Sequence, residues 1–136
     1  MAPAPACILM VEDHSDNRLL LTLLLCSEGY RMVEASSYAE GLSLDQETAF
    51  DLFLLDHWLG DDSGVDLREK LRQLHPATPA LFCTATPYTA TQIDKVRQSG
   101  DDYILKPSPT RELITSVAEL LNTSTATREV TSLNRF

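Results

Sequence analysis

The sequence predicts an α/β fold in which a parallel sheet is covered by helices on both sides, and two observations predict it. Short apolar runs alternate five times with stretches of helical period, the pattern of repeated strand–helix units. The first of these runs, 7–11, is continuous rather than alternating with polar residues, as expected of a strand buried on both faces. With 136 residues, 43% of them hydrophobic and 23% charged, the composition is that of one globular domain able to bury a core.

Taken in order, the first run is Cys7-Ile8-Leu9-Met10-Val11, ending in Glu12-Asp13. A Leu-rich helix is predicted over 16–28 and is stopped by Gly29. Residues 30–35 return as the second strand. Ser36 or Ser37 is placed to cap a short helix reaching Glu47, with Gly41 an unfavourable residue inside it. The third strand, 50–55, ends at Asp56. A Gly/Asp/Ser-rich loop from Gly60 to Gly64 leads to a helix with Leu67, Leu71 and Leu74 on one face. Strand four covers 80–84, and a weaker helix then carries Ile93 and Val96 towards Gly100. Strand five, 103–105, ends at Lys106-Pro107. Ser108 and Pro109 start the last helix, since proline suits the first helical position, and Leu113, Val117 and Leu120 form its apolar face. The domain so defined spans 7–122, and 123–136 is a polar tail, flexible or the stub of a longer protein.

Eleven basic side chains against twenty acidic ones leave a net charge of −9. That balance argues against direct binding of nucleic acid or of an anionic membrane surface, both of which need a positive footprint. The three cysteines, Cys7, Cys26 and Cys83, form no CxxC pair and read as reduced thiols of a cytoplasmic protein. The opening residues lack a basic n-region, and the run 19–26 is too short to span a bilayer.

In an open parallel α/β sheet, ligands bind beyond the carboxyl ends of the strands. Those ends carry Glu12-Asp13, Asp56, Thr84 and Lys106, so three carboxylates, one hydroxyl and one ammonium are expected at one edge. Three anions in one place repel unless a cation sits among them. A hard divalent ion, Mg²⁺ (or Mn²⁺), resolves the repulsion and leaves positions open for phosphate oxygens. Metal and lysine on phosphoryl oxygens, a hydroxyl on another and a carboxylate as nucleophile form a set suited to phosphoryl transfer.

These residues resemble the response-regulator receiver domain of two-component signalling. The matches are Glu12-Asp13 with Arg18 five positions on, Asp56 ending Asp-Leu-Phe-Leu-Leu-Asp with Gly64 eight residues later, Thr84-Ala85, and Tyr103-Ile104-Leu105-Lys106-Pro107. The resemblance implies a flavodoxin-like (βα)5 three-layer sandwich with strands in the order 2-1-3-4-5. It implies that Asp56 takes a phosphoryl group from a sensor histidine kinase or a phosphotransfer protein. Asp13, Asp56 and the backbone carbonyl of Trp58 would bind Mg²⁺, with Glu12 acting through a bound water. Lys106 would contact the phosphoryl group, and its bond to Pro107 would be cis. Thr84 and Tyr103 would be the switch, moving inward to reshape a face built from helix four, strand five and helix five, through which a homodimer can also form. Such a protein is no enzyme beyond self-catalysed phosphotransfer and slow autodephosphorylation, and its downstream effector is left open.

The chain departs from the family pattern in four places. Glu12 stands for the commoner Asp. Gly60 stands for a proline, which implies a more mobile loop. Before Tyr103, Ser99-Gly100-Asp101-Asp102 departs from the usual Gly-Ala-Asp-Asp and reads as a shortened form of it, and Ser108 replaces an aromatic residue. These changes keep a second reading open, a receiver-like adaptor that docks proteins without phosphorylation. An aspartyl phosphatase is disfavoured because Trp58 stands where its second acid would be, and a flavin or nucleotide carrier because no phosphate loop follows strand one. Asp61, Asp62 and Asp66 read as solvated charges, His14 and His57 as residues around the site rather than ligands, and His75 as a loop residue. His57, beside Asp56, could tune the phosphoryl lifetime. The leucines of helix one are expected to pack against the sheet and the last helix, the alternative being a partner surface.

Overall fold

The computed structural model describes residues 4–133, with side chains as far as residue 123. In chain order the elements are β1 (Cys7–Val11), α1 (Ser15–Ser27), β2 (Arg31–Ala35), α2 (Tyr38–Glu47), β3 (Leu52–Leu55), β4 (Trp58–Leu59), β5 (Asp62–Ser63), α3 (Gly64–Leu74), β6 (Ala80–Thr84), α4 (Ala90–Gln98), β7 (Asp102–Leu105) and α5 (Thr110–Leu133). The main sheet has the order β2-β1-β3-β6-β7 and is parallel throughout. Counting only its own strands, this is the order 2-1-3-4-5 of a flavodoxin-like sandwich.

Period-two alternation splits the apolar runs between two cores. Leu9, Val11, Phe53, Leu55 and Phe82 face Leu67 and Leu71 of α3 and the partly buried residues of α2 and α4. Ile8, Met10, Leu52, Leu54, Leu81 and Ile104 face Leu21 and Leu25 of α1 and Leu113 and Val117 of α5. The strands thus fill both interfaces of a three-layer molecule, each large side chain contributing about 1.5–3 kcal/mol on burial. Gly41, unfavourable for helix propensity, is needed for contact: a Cβ there would lie 2.9 Å from Cγ2 of Val11, so α2 rides directly on β1.

Several local expectations change. Ser37, not Ser36, caps α2, its side chain accepting from the Glu40 N–H. The segment after Asp56 is not an open loop: Trp58–Leu59 pairs antiparallel with Asp62–Ser63 in a short hairpin. Leu74, placed on the buried face of α3 by periodicity, is exposed because the helix ends there. In α1 the expected dense packing holds for Leu21 and Leu25, whereas Leu19, Leu20 and Leu23 are 59%, 65% and 61% exposed. Sheet and α5 together cover only one stripe of that helix. Pro109 precedes α5 rather than opening it, its carbonyl accepting from the N–H groups of Glu112 and Leu113. The backbone of α5 runs on to Leu133, into the segment expected as a polar tail, of which residues 134–136 lie outside the described residues.

Candidate functional site

The carboxyl ends of β1, β3, β6 and β7 bring Glu12, Asp13, Asp56, Thr84 and Lys106 to the floor of one cleft of about 630 Å³. Trp58 and Ser108 stand at its sides, and Leu20 and Leu24 of α1 form an apolar wall. One carboxylate oxygen from each of Glu12, Asp13 and Asp56 lies within 4.8 Å of the others, with Glu12 buried and Asp13 exposed. Neither His14 nor His57 joins that group, so its donors are hard oxygens alone, the set that a small divalent cation prefers.

Local structure aims each group. Arg18 Nη1 donates to the Glu12 carbonyl at 2.8 Å, tying the strand end to α1. Glu12 Oε1 accepts from the His14 N–H at 3.2 Å, which turns its carboxyl inward. Lys106 Nζ reaches Glu12 Oε2 at 3.3 Å and Asp56 Oδ2 at 3.4 Å, and its peptide bond to Pro107 is cis. Asp56 Oδ1 accepts from the His57 N–H at 2.6 Å. Behind it, α3 starts so close that a Cβ on Gly64 would fall onto the Asp56 carbonyl. Gly64 also donates its N–H to the His57 carbonyl at 2.6 Å, so only glycine lets the helix support the strand end.

The electrostatics separate the two inner carboxyls. Burial pushes Glu12 up, and its hydrogen bond to Asp56 and the repulsion from that carboxylate push the same way, against the pull of Lys106. Burial would also raise Asp56, but hydrogen bonds from Glu12 and Thr84 and the charge of Lys106 outweigh it and hold Asp56 below the usual carboxylate range. Lys106 is opposed by burial yet raised by Asp56 and Glu12. Of the two, Glu12 is thus the more readily protonated and Asp56 the more readily ionised.

The predicted switch residues lie beside this floor. Thr84 is buried, its Oγ1 accepting from the Thr86 N–H at 3.2 Å. Tyr103 points inward, its hydroxyl donating to the Thr86 carbonyl at 2.7 Å and accepting from the Tyr88 N–H at 3.1 Å. Tyr88 was not foreseen: its ring stacks on Tyr103 with centroids 4.4 Å apart. Its place four residues after the end of β6 was the only signal. Gly60, in the left-handed region, donates its N–H to Asp13 Oδ2 at 3.0 Å. A proline could do neither. Asp61, Asp62 and Asp66 are exposed.

The segment before Tyr103 serves another end of the molecule. Asp101, almost fully buried, takes two bonds from Arg68 (2.8 and 2.9 Å), one from Arg72 (2.8 Å) and one from the Ala80 N–H (3.0 Å). This network closes the amino end of β6 and β7, far from the cleft floor. His75 is more than a loop residue, its Nε2 lying 2.7 Å from Oδ2 of buried Asp45.

Comparison with known proteins agrees with this arrangement. The family model for the response regulator receiver domain matches residues 8–118. The transcriptional regulatory protein SrrA of Staphylococcus aureus is 33% identical over 120 residues, which cover 88% of this chain and 49% of that protein. The chain thus spans about half the length of that relative. The crystal structure of NtrX from Brucella abortus superposes with a TM-score of 0.84 at 29% identity, over 95% of this chain and 29% of that one. A CheY-like receiver domain protein from Methanospirillum hungatei gives 0.80 at 28% identity, over 90% and 98%. With the family model matching most of its length and a relative 33% identical over 88% of it, the chain belongs to the response regulator receiver domain family of two-component systems.

Proposed function

We propose that Asp56 is the phosphoacceptor of this receiver. Phosphorylation by a kinase is the general function of response regulators, which are signal transducers rather than enzymes. The observation that carries the assignment is the lysine: Lys106 Nζ sits between Glu12 and Asp56, at 3.3 and 3.4 Å, at the mouth of an oxygen-only cluster. In the step, an Asp56 carboxylate oxygen attacks the phosphorus of a phosphohistidine. The P–N bond breaks, its electrons return to the imidazole, and an acyl phosphate forms.

Asp13, Asp56 and the Trp58 carbonyl, with Glu12 acting through a bound water, would hold Mg²⁺ (or Mn²⁺), which when bound neutralises charge on phosphoryl oxygens. Lys106 would hold another oxygen, and the Thr84 hydroxyl, which helps to lower the Asp56 carboxyl, is placed to follow the phosphoryl group. Tyr103 then links that movement to α4, β7 and α5. α4 suits a mobile output element because none of its residues is fully buried. Exposed Leu20, which lines the cleft, and its exposed helix neighbours Leu19 and Leu23 offer an apolar surface to a histidine-bearing donor. Three free thiols agree with a reducing, cytoplasmic setting. Among the described residues no helix is long and apolar enough to cross a membrane.

The test is incubation with acetyl phosphate and Mg²⁺, read by intact mass. Wild type should gain one phosphoryl group and Asp56→Asn none. Wild type that stays unmodified with every donor, a cognate kinase included, rules the assignment out and leaves the adaptor reading, for which partner binding would be equal in both proteins.

A further inference from the structure

We propose that His57 and Tyr88 act as a pair of positioning residues that couples the acceptor Asp56 to the inward position of Tyr103. The two belong to different loops, one after β3 and one after β6, and meet through a hydrogen bond of 2.7 Å between His57 Nδ1 and the Tyr88 hydroxyl. His57 is held at three points. Its N–H donates to Asp56 Oδ1 at 2.6 Å, its carbonyl accepts from Gly64 at 2.6 Å, and its ring engages Tyr88. Tyr88 is likewise held at both ends: its hydroxyl is on His57, while its N–H donates to the Tyr103 hydroxyl and its ring lies flat on the Tyr103 ring, 14° from parallel.

Chemistry at Asp56 acts on this column from two sides. Converting the carboxylate to an acyl phosphate removes its delocalised charge, so the charge-assisted bond from the His57 N–H weakens towards a neutral one. Drawing Thr84 onto the phosphoryl group disturbs the Thr86 N–H bond to Thr84 Oγ1, and Thr86 also supplies the carbonyl that fixes the Tyr103 hydroxyl. The His57–Tyr88 bond is the direct side-chain tie between these two responses. Burial, with repulsion from Tyr103 and Asp56, pushes the Tyr88 hydroxyl up to about 12, so its proton stays in place around neutrality. With the tie intact, Tyr103 stays inward and Thr84 stays over the phosphoryl group, excluding water. Without it the acyl phosphate hydrolyses sooner.

This inference rests on Asp56 being the acceptor, and the experiment separates the two. After phosphorylation with acetyl phosphate and Mg²⁺ and removal of the donor, the lifetime of the acyl phosphate is measured in wild type, Tyr88→Phe, His57→Phe, the double variant and His57→Asn. Losing one hydrogen bond should shorten the lifetime about three- to tenfold in each Phe variant. The double variant should be no shorter-lived than either single one, because both remove the same bond. His57→Asn, whose amide takes the place of Nδ1, should restore the wild-type lifetime. Equal lifetimes throughout, or strictly additive effects, overturn the pair while leaving the acceptor standing.

A second measurement needs no phosphoryl group. Hydrogen exchange at the Tyr88 amide, which reads its bond to Tyr103, should quicken by about the same factor in His57→Phe and not in His57→Asn. Unchanged exchange in His57→Phe overturns the pair even if wild type accepts no phosphoryl group.

Discussion

At the amino end of the sheet, Arg68 and Arg72 both bond Asp101, setting two guanidiniums on one carboxylate. At the carboxyl end, Lys106 is the cation in ion-pair contact with a cluster of three carboxylates, Glu12, Asp13 and Asp56. Both places take charge out of water, yet they are completed differently. Asp101 collects four hydrogen bonds in fixed geometry, including the two-pronged contact that suits arginine. The acidic cluster keeps an excess of negative charge beside an open cleft. At the amino end the carboxylate is outnumbered by its cationic donors, whereas at the carboxyl end three carboxylates outnumber one lysine and attract positive charge.

The sharpest way to break the comparison is to unbalance the closed end. Arg68→Ala leaves the buried Asp101 with Arg72 and one amide, and should cost about 3–5 kcal/mol, measured by urea unfolding. A loss below about 1 kcal/mol would mean that the network is ornamental. Next in size is the response of the open end to a cation. Mg²⁺ at about a hundred times its dissociation constant should stabilise wild type by about 2.7 kcal/mol, seen as a rise in melting temperature that Asp13→Asn largely removes. Arg68 lies outside that cluster, so a similar Mg²⁺ increment in Arg68→Lys would keep the two ends distinct.

A smaller effect tests the repulsion itself. Without divalent ions, Glu12→Gln should stabilise the protein at pH 7 by about 1 kcal/mol or less, since it neutralises a buried charge and keeps an accepting oxygen. Because Glu12 is raised in the fold, its own contribution is full below its ordinary value of 4.5 and is lost as pH rises. The advantage of Gln should therefore shrink as the solution is acidified, and a gain that grows on acidification would reverse the assignment. Asp56, held low, contributes in the opposite sense, losing its stabilisation as pH falls. The gentlest probe is a thiol count with iodoacetamide at pH 8. Exposed Cys26 should react, while Cys83, buried under the cluster and pushed up to about 11, should stay unlabelled until the protein unfolds.

What the sequence disclosed follows from range. The central strands β1, β3 and β6 are legible because each is an almost continuous apolar run, and the cluster is legible because strand ends in such a sheet must converge. The hairpin at Trp58–Leu59 and Asp62–Ser63 is not, since its two-residue strands are too short for any periodicity and half of them are polar. Arg68 meets Asp101 across 33 positions and His75 meets Asp45 across 30, contacts that no local pattern encodes. Leu19, Leu20 and Leu23 mislead for a related reason: composition records that a helix is apolar, while only the packing of its neighbours decides which stripe is covered. Tyr88 could have been suspected from its position, but its partner His57 lies in another loop, 31 residues away.

The hairpin has a consequence for the thermodynamics of cation capture. At its tip the Gly60 amide already holds Asp13 Oδ2, so an exposed carboxylate that would otherwise sample several rotamers waits in one. The conformational entropy that a metal would have to remove from that ligand is gone before the metal arrives. With Asp13 as a ligand in the proposed site, affinity would be set partly by a backbone donor that touches no cation, and a chain with proline at position 60 would have to order Asp13 at the moment of binding.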